Sequence, residues 1–253
     1  ALPARGLFTG VAIVGAVGLF NYWILSPRFL GQVTFGMLLA HHRERLTPAA
    51  GLLAAASEIG ADGGLITLDP SEYEISEPLV LKAKSNVNIV GSGWSTIIKR
   101  KGSGDAIVFE GSCWKCRVHG LTLQGSQDAK TGSGIVFRKG EWSGICVVDY
   151  CRIDGFPEHG ISFEGDPKKP FSSNTVSKCW LTNNLGDQLH SYYNNASYFI
   201  GNQFGAGPGR HPKNGARLDH SSAGTYTLNY HWGNVVALRL GPVVPSPARP
   251  VTI

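Results

Sequence analysis

The chain has 253 residues, with 33 glycines and 14 prolines against only 16% charged and 42% hydrophobic residues. That balance excludes a disordered tail, which needs high charge and few aromatics, and a coiled coil, which needs a surplus of Ala, Glu, Lys and Leu. The formal net charge is +5, yet the densest basic stretch is Lys99-Arg100-Lys101, short of the patch or stripe left by nucleic-acid binding, so no nucleic-acid partner is expected.

In chain order, Leu7–Leu25 (LFTGVAIVGAVGLFNYWIL) comes first, a stretch without a charge between Arg5 and Arg28. Its length meets the lower range for a membrane span, and no A-x-A-like site marks it as a secretory signal. Its Val and Ile with interspersed Gly, and the GQVTFG stretch after it, equally fit an extended apolar arm. Residues 1–46 are read as such an arm, packing against neighbouring subunits, with a membrane span at 7–25 as the alternative. Thr47-Pro48 then supplies an N-cap and a first-turn proline, which predicts a helix from Pro48 to Ile59 with Gly60 as its C′ residue. After a GADGG turn, short apolar alternations separated by Gly, Asn, Asp and Ser continue to about Leu240 without a second amphipathic helix.

These alternations repeat. In DAIVFEG, SGIVFRK, HGISFEG, DQLHSYY and NGARLDH the inward pairs are Ile107/Phe109, Ile135/Phe137, Ile161/Phe163, Leu189/Ser191 and Ala216/Leu218. Their first members are 28, 26, 28 and 27 residues apart. A second series, marked by Leu123, Ile153, Leu181, Phe204 and Trp232, falls between them at steps of 30, 28, 23 and 28. A propeller blade needs ~40–50 residues and a leucine-rich repeat its own signature. Two short strands per ~27 residues fit a parallel β-helix, whose coils stack at the ~4.8 Å interstrand spacing. Residues 47–234 are assigned to it, with the helix as its cap, and 235–253 to an extended tail. Cys151 and Cys179 should stack inward, and the odd count of five cysteines points to buried free thiols. Asn183, Asn184, Asn195 and Asn202 fall at turn positions.

The stretch Leu52–Gly102 adds a motif. It has an Ala-rich helix, then G-x-D-G-G, then Tyr73-x-Ile75-x-x-Pro78-Leu79-x-Leu81, then Ser85-Asn86-Val87-x-Ile89-x-Gly91-x-Gly93, then Thr96-x-Ile98. This opening resembles the pectate-lyase-like superfamily, most closely the branch of bacteriophage tailspikes and of rhamnogalacturonase-type and epimerase-type enzymes. The resemblance implies an all-β, right-handed, single-stranded parallel β-helix. It departs from the family at Asp69-Pro70-Ser71-Glu72-Tyr73, which lacks the usual Gly. Activity does not follow, because the fold hosts lyases, hydrolases, epimerases and spikes without chemistry.

Outward positions define the candidate sites. Val108, Val136, Ser162, His190 and Arg217 form one column, and Glu110, Arg138, Glu164, Tyr192 and Asp219 the next, with Asp187 at a strand start. Glu164, His190, Arg217 and Asp219 are the candidate catalytic residues. Tyr192, Asp187, Trp180 and Arg138 are the candidate glycan contacts. Glu164 and Asp219, two coils apart, stand near the carboxyl separation of ~6.5–9.5 Å used by inverting glycosidases. A lyase would use Arg217 and His190, with Ca²⁺ as its cofactor; otherwise no cofactor and no metal is expected. The alternating Glu110–Arg138–Glu164 ladder also reads as a plain solvated face. On the second face, Thr122, Arg152, Trp180, Gln203 and His231 point outward. Asp149, Asp154, Glu158 and His159 cluster around one coil, and the Gly205–Gly215 loop carries Arg210, His211 and Lys213.

The leading functional expectation is a homotrimeric receptor-binding spike of a virus particle. It would contact cell-surface polysaccharide through the β-helix and other virion proteins through the N-terminal arm. A polysaccharide lyase or glycoside hydrolase is the second reading, and a membrane-anchored extracellular surface β-helix the third.

Overall fold

The computed structural model describes residues 48–126, 128–138 and 142–242. The apolar segment 7–25, the Thr47 cap and residues 243–253 lie outside these. Among the described residues no helix is long and apolar enough to cross a membrane.

Three parallel sheets, each of seven strands, wind as one solenoid. Sheet A takes Gly64–Leu68, Val87–Gly91, Arg117–His119, Val147–Asp149, Thr175–Ser177, Tyr198–Ile200 and Thr225–Thr227, in that spatial order. Sheet B takes Glu72–Ile75, Ile97–Arg100, Thr122–Gln124, Arg152–Asp154, Trp180–Thr182, Gln203–Gly205 and Tyr230–Trp232. Sheet C takes Leu79–Lys82, Ile107–Glu110, Ile135–Phe137, Ile161–Glu164, Asp187–Tyr192, Asn214–Asp219 and Val236–Leu240. The last of these lies in the stretch read as a tail, and it adds a further rung beside Asn214–Asp219.

The repeat spacing explains this winding. Leu79, Ile107, Ile135, Ile161, Leu189, Ala216 and Leu238 stand in one inward file of sheet C. Phe109, Phe137 and Phe163 fill the neighbouring file, with successive ring centroids 4.7 Å apart. All three are buried, and burying a ring of that size contributes roughly 1.5–3 kcal/mol.

The corner from sheet A to sheet B is a single left-handed residue in successive coils: Gly120, Tyr150, Lys178, Gly201 and Leu228. Glycine adopts this conformation freely, whereas a side chain there costs roughly 1–2 kcal/mol. After each comes an inward residue: Leu121, Cys151, Cys179 and Asn202 are buried, and Asn229 at the last corner is half-buried, its amide donating to the carbonyl of Phe199. Cys151 and Cys179 thus stack as expected, and all five cysteines are free and buried. Burial holds the Cys179 thiol well above its ordinary pKa and pushes Cys113 up to about 11, so both behave as small apolar groups. Asn202 is a rung of the interior: its amide donates to the carbonyl of Val176 and to Asn229 Oδ1, and its own Oδ1 accepts from Cys179 N–H.

The helix runs Pro48–Glu58 and packs Leu52, Ala55 and Ala56 against the first coil. Gly60 does not supply the left-handed C′ geometry expected of it. Lys84 instead reaches up from the next coil, and its Nζ donates to the carbonyls of Ala56, Ser57 and Ile59. In the GADGG turn, Gly63 adopts φ of +97° against the backbone of Ser85 and Asn86, where a methyl would collide.

Candidate functional site

Sheet C has the register expected from alternation. Ser162, His190 and Arg217 share one outward column, and Glu164, Tyr192 and Asp219 the next. His159, just ahead of the Ile161–Glu164 strand and one coil before His190, joins them. Its Nδ1 accepts the Asp187 amide proton at 3.0 Å and lies 3.6 Å from Asp187 Oδ2. The His159 and His190 rings are 4.8 Å apart. His190 Nδ1 is 3.4 Å from Ser162 Oγ, and its Nε2 is 3.9 Å from Asp219 Oδ2. Burial is the main reason the His190 pKa is pulled down to about 4; His159 and Arg217 add to this, while Asp187 and Asp219 oppose it. Burial lowers His159 as well. Both imidazoles are therefore neutral at pH 7.

Asp219 is committed elsewhere. Its Oδ2 lies 2.6 Å from Arg217 Nε, and Gly241 covers its carboxylate so closely that a methyl would overlap it. Tyr192 stands in register between Asp219 and Glu164 and packs edge-on against Tyr193 and His220. Glu164 and Asp219 thus stand two coils apart with Tyr192 between them in register. Arg138, expected beside this cluster, forms an ion pair with Asp105.

The second face differs from expectation in its last coil. Leu123, Ile153, Leu181 and Phe204 point inward as assigned, but the residue opposite Phe204 is His231, and Trp232 stands opposite Gly205. Tyr230 and Trp232 therefore face outward. His231 points in, with its Nε2 2.6 Å from Tyr226 Oη. The physical reason is Gly205. The Trp232 indole lies where a side chain on Gly205 would be, and a methyl there would collide with the ring.

That shift completes a groove. Trp180 meets Trp94 edge-on at 5.4 Å and Trp232 edge-on at 5.9 Å. The three indoles, with Arg152, Thr182, Asn183 and Gly207, line a cavity of about 270 Å³. Trp94 arrives from a widened corner: the short turns of later coils are replaced by the Gly91–Thr96 loop, and Trp94 Nε1 donates to the carbonyl of Tyr150. The polar wall is fixed from behind. Asp154 Oδ1 accepts from Thr182 Oγ1 and Asn183 Nδ2, and Asn183 Oδ1 accepts from Gly207 N–H. Arg152 is exposed and makes no ion pair with another described residue.

Other candidates separate. Asp149 pairs with Arg117 through both oxygens and with His119. Glu158 Oε2 accepts from Gly132 N–H. The expected group of Asp149, Asp154, Glu158 and His159 is thus divided between these partners and the sheet C cluster. In the basic run, Lys99 pairs with Glu72 and Lys101 with Glu74. Arg100 is buried and donates to the carbonyls of Ser76, Ser103 and Asp105.

Fold and groove together define a parallel β-helix with an aromatic lateral face. It is similar to two solved structures from viruses. One is ORF18 of Geobacillus virus E2 (11% identity over 78% of this chain and 58% of that one, TM-score 0.35). The other is the Dettilon tailspike protein gp208 (10% identity over 76% of this chain and 63% of that one, TM-score 0.30). This chain spans about three fifths of the length of each. No protein-family profile and no curated protein matches it.

Proposed function

We propose that this chain is the β-helical part of a virus-particle surface spike and that it binds an acidic cell-surface glycan between Trp94, Trp180 and Trp232. The observation that carries the reading is the groove itself: three indoles around one small cavity, beside the exposed guanidinium of Arg152, which forms no ion pair among the described residues. The C–H faces of a pyranose are apolar and pack on an indole face, whose rim leaves hydroxyls free to hydrogen-bond. Arg152 presents a planar fork that matches a sugar carboxylate. The cavity lies just under the ~300–1,000 Å³ typical of ligand sites, a scale for a short stretch of sugar rings. The spike assignment is supported by the winding and by the resemblance of Leu52–Gly102 to the tailspike branch. It carries with it a homotrimer and attachment to other virion proteins through residues 1–46.

The test is binding to immobilised polysaccharides, some containing uronate or sialate and some neutral. The proposal expects retention on acidic members, weakening with salt, and loss in Trp180→Ala. Equal retention of neutral and acidic glycans, or full retention by Trp180→Ala, overturns it. Mass in solution near three times 27.1 kDa tests the trimer.

A further inference from the structure

On sheet C, away from the groove, His159, Asp187 and His190 bring one ligand atom each within 4.8 Å of one another. We propose that these three side chains bind one divalent transition-metal ion, zinc being the best match, and thereby clamp two adjacent coils. Zinc bound by His nitrogen and carboxylate oxygen at ~2.0–2.2 Å holds its ligand atoms roughly 3.3 Å apart in a tetrahedron. The 3.6 Å between His159 Nδ1 and Asp187 Oδ2 is already near that value.

Asp187 supplies the second argument. Its side chain is 3% exposed, and its Oδ1 is held by Asn214 Nδ2 at 2.5 Å. Among the described residues no Lys or Arg pairs with it, since the nearby Arg217 is engaged by Asp219. A buried carboxylate without a cation is costly, and a bound metal ion would supply the missing charge. Asn214 on Asp187 and Ser162 on His190 Nδ1 are the kind of outer partner that fixes ligand orientation in metal sites, and Asn214 leaves Asp187 Oδ2 for the ion.

The donor set decides the class. Two imidazoles and one carboxylate select zinc and its transition-metal neighbours, whereas Ca²⁺ and Mg²⁺ demand oxygen. Three protein ligands, with both imidazoles partly exposed at 26% and 18%, leave a position open for water or an incoming ligand. Binding takes the His159 lone pair from the Asp187 amide or turns the ring, so micromolar rather than nanomolar affinity is expected.

The experiment titrates the purified full chain with Zn²⁺, Co²⁺ and Ca²⁺ by calorimetry, with melting curves at each metal concentration. The expected result is one Zn²⁺ per chain, a raised melting temperature, no response to Ca²⁺, and loss of at least ~100-fold in affinity in Asp187→Asn and in His190→Gln. If either variant fails to fold, X-ray absorption on the zinc-loaded wild-type chain decides, with two imidazoles expected around the ion. No zinc binding by the wild type, unchanged affinity in both folded variants, or a zinc environment without imidazole overturns the proposal. Glycan retention is read separately on the groove, so failure here leaves that reading untouched.

Discussion

Gly205→Ala is the smallest change that tests how the groove is built. Gly205 lies between Thr182 and Trp232 in the outward column of sheet B, and the added methyl would occupy the space of the indole. Overpacking of this kind costs about 1–3 kcal/mol when the surroundings cannot yield. Trp232 is only half-buried and sits on the last coil of sheet B, so the ring swings away and the loss falls at the low end of that range. Its edge contact with Trp180 at 5.9 Å goes with it, worth about 0.5–1.5 kcal/mol. Removing one aromatic wall of three should weaken glycan binding about tenfold, or ~1.4 kcal/mol, less than the ≥ 2 kcal/mol typical of a central anchor. Trp232→Ala removes the same wall without the clash. Combining the two should therefore weaken binding no further than Trp232→Ala alone. The assay is titration with the tightest member of the polysaccharide panel, followed by intrinsic fluorescence, alongside urea melts. Unchanged affinity in Gly205→Ala, or additive losses in the double variant, would refute the reasoning.

Phe137→Ala removes the middle ring of the Phe109–Phe137–Phe163 stack and should cost about 3–5 kcal/mol, measured by urea unfolding; a loss below 1 kcal/mol on the same scale would contradict a shared interior. Leu228→Gly relieves a left-handed, 82% exposed corner and should raise stability by roughly 0.5–1 kcal/mol, seen as a higher melting temperature. Burial holds the His231 pKa below its ordinary 6.5, so unfolding takes up a proton as the pH drops. The resulting stabilisation is complete above pH 6.5 and is lost as pH falls through the lower folded value. His231→Gln should therefore lose less melting temperature than the wild type between pH 7 and pH 5, and an equal loss would count against the buried placement.

The solenoid was legible because Ile and Phe recur two residues apart in the same phase at 107/109, 135/137 and 161/163, and a buried face tolerates no slip. The last coil was not legible by the same rule. Trp232, the largest apolar residue of its segment, reads as inward by alternation, whereas the vacancy above Gly205 draws it outward; the glycine one coil earlier is the signal. Proximity along the chain groups His159 with Asp154 and Glu158. In a solenoid the contacts lie one coil on, and Asp187 is 28 residues away. Trp94 escapes a periodic reading because its loop breaks the period. Corners such as Tyr150, Lys178 and Leu228 carry no sequence mark, since an ordinary side chain is forced there by the coils on either side.

A crystal structure of the chain with an acidic oligosaccharide from the panel is the most direct test of the glycan site. The account predicts sugar rings between Trp94, Trp180 and Trp232, with a carboxylate on Arg152. A sugar seated over His190 and Tyr192 on sheet C, with the indole groove holding only water, would contradict it.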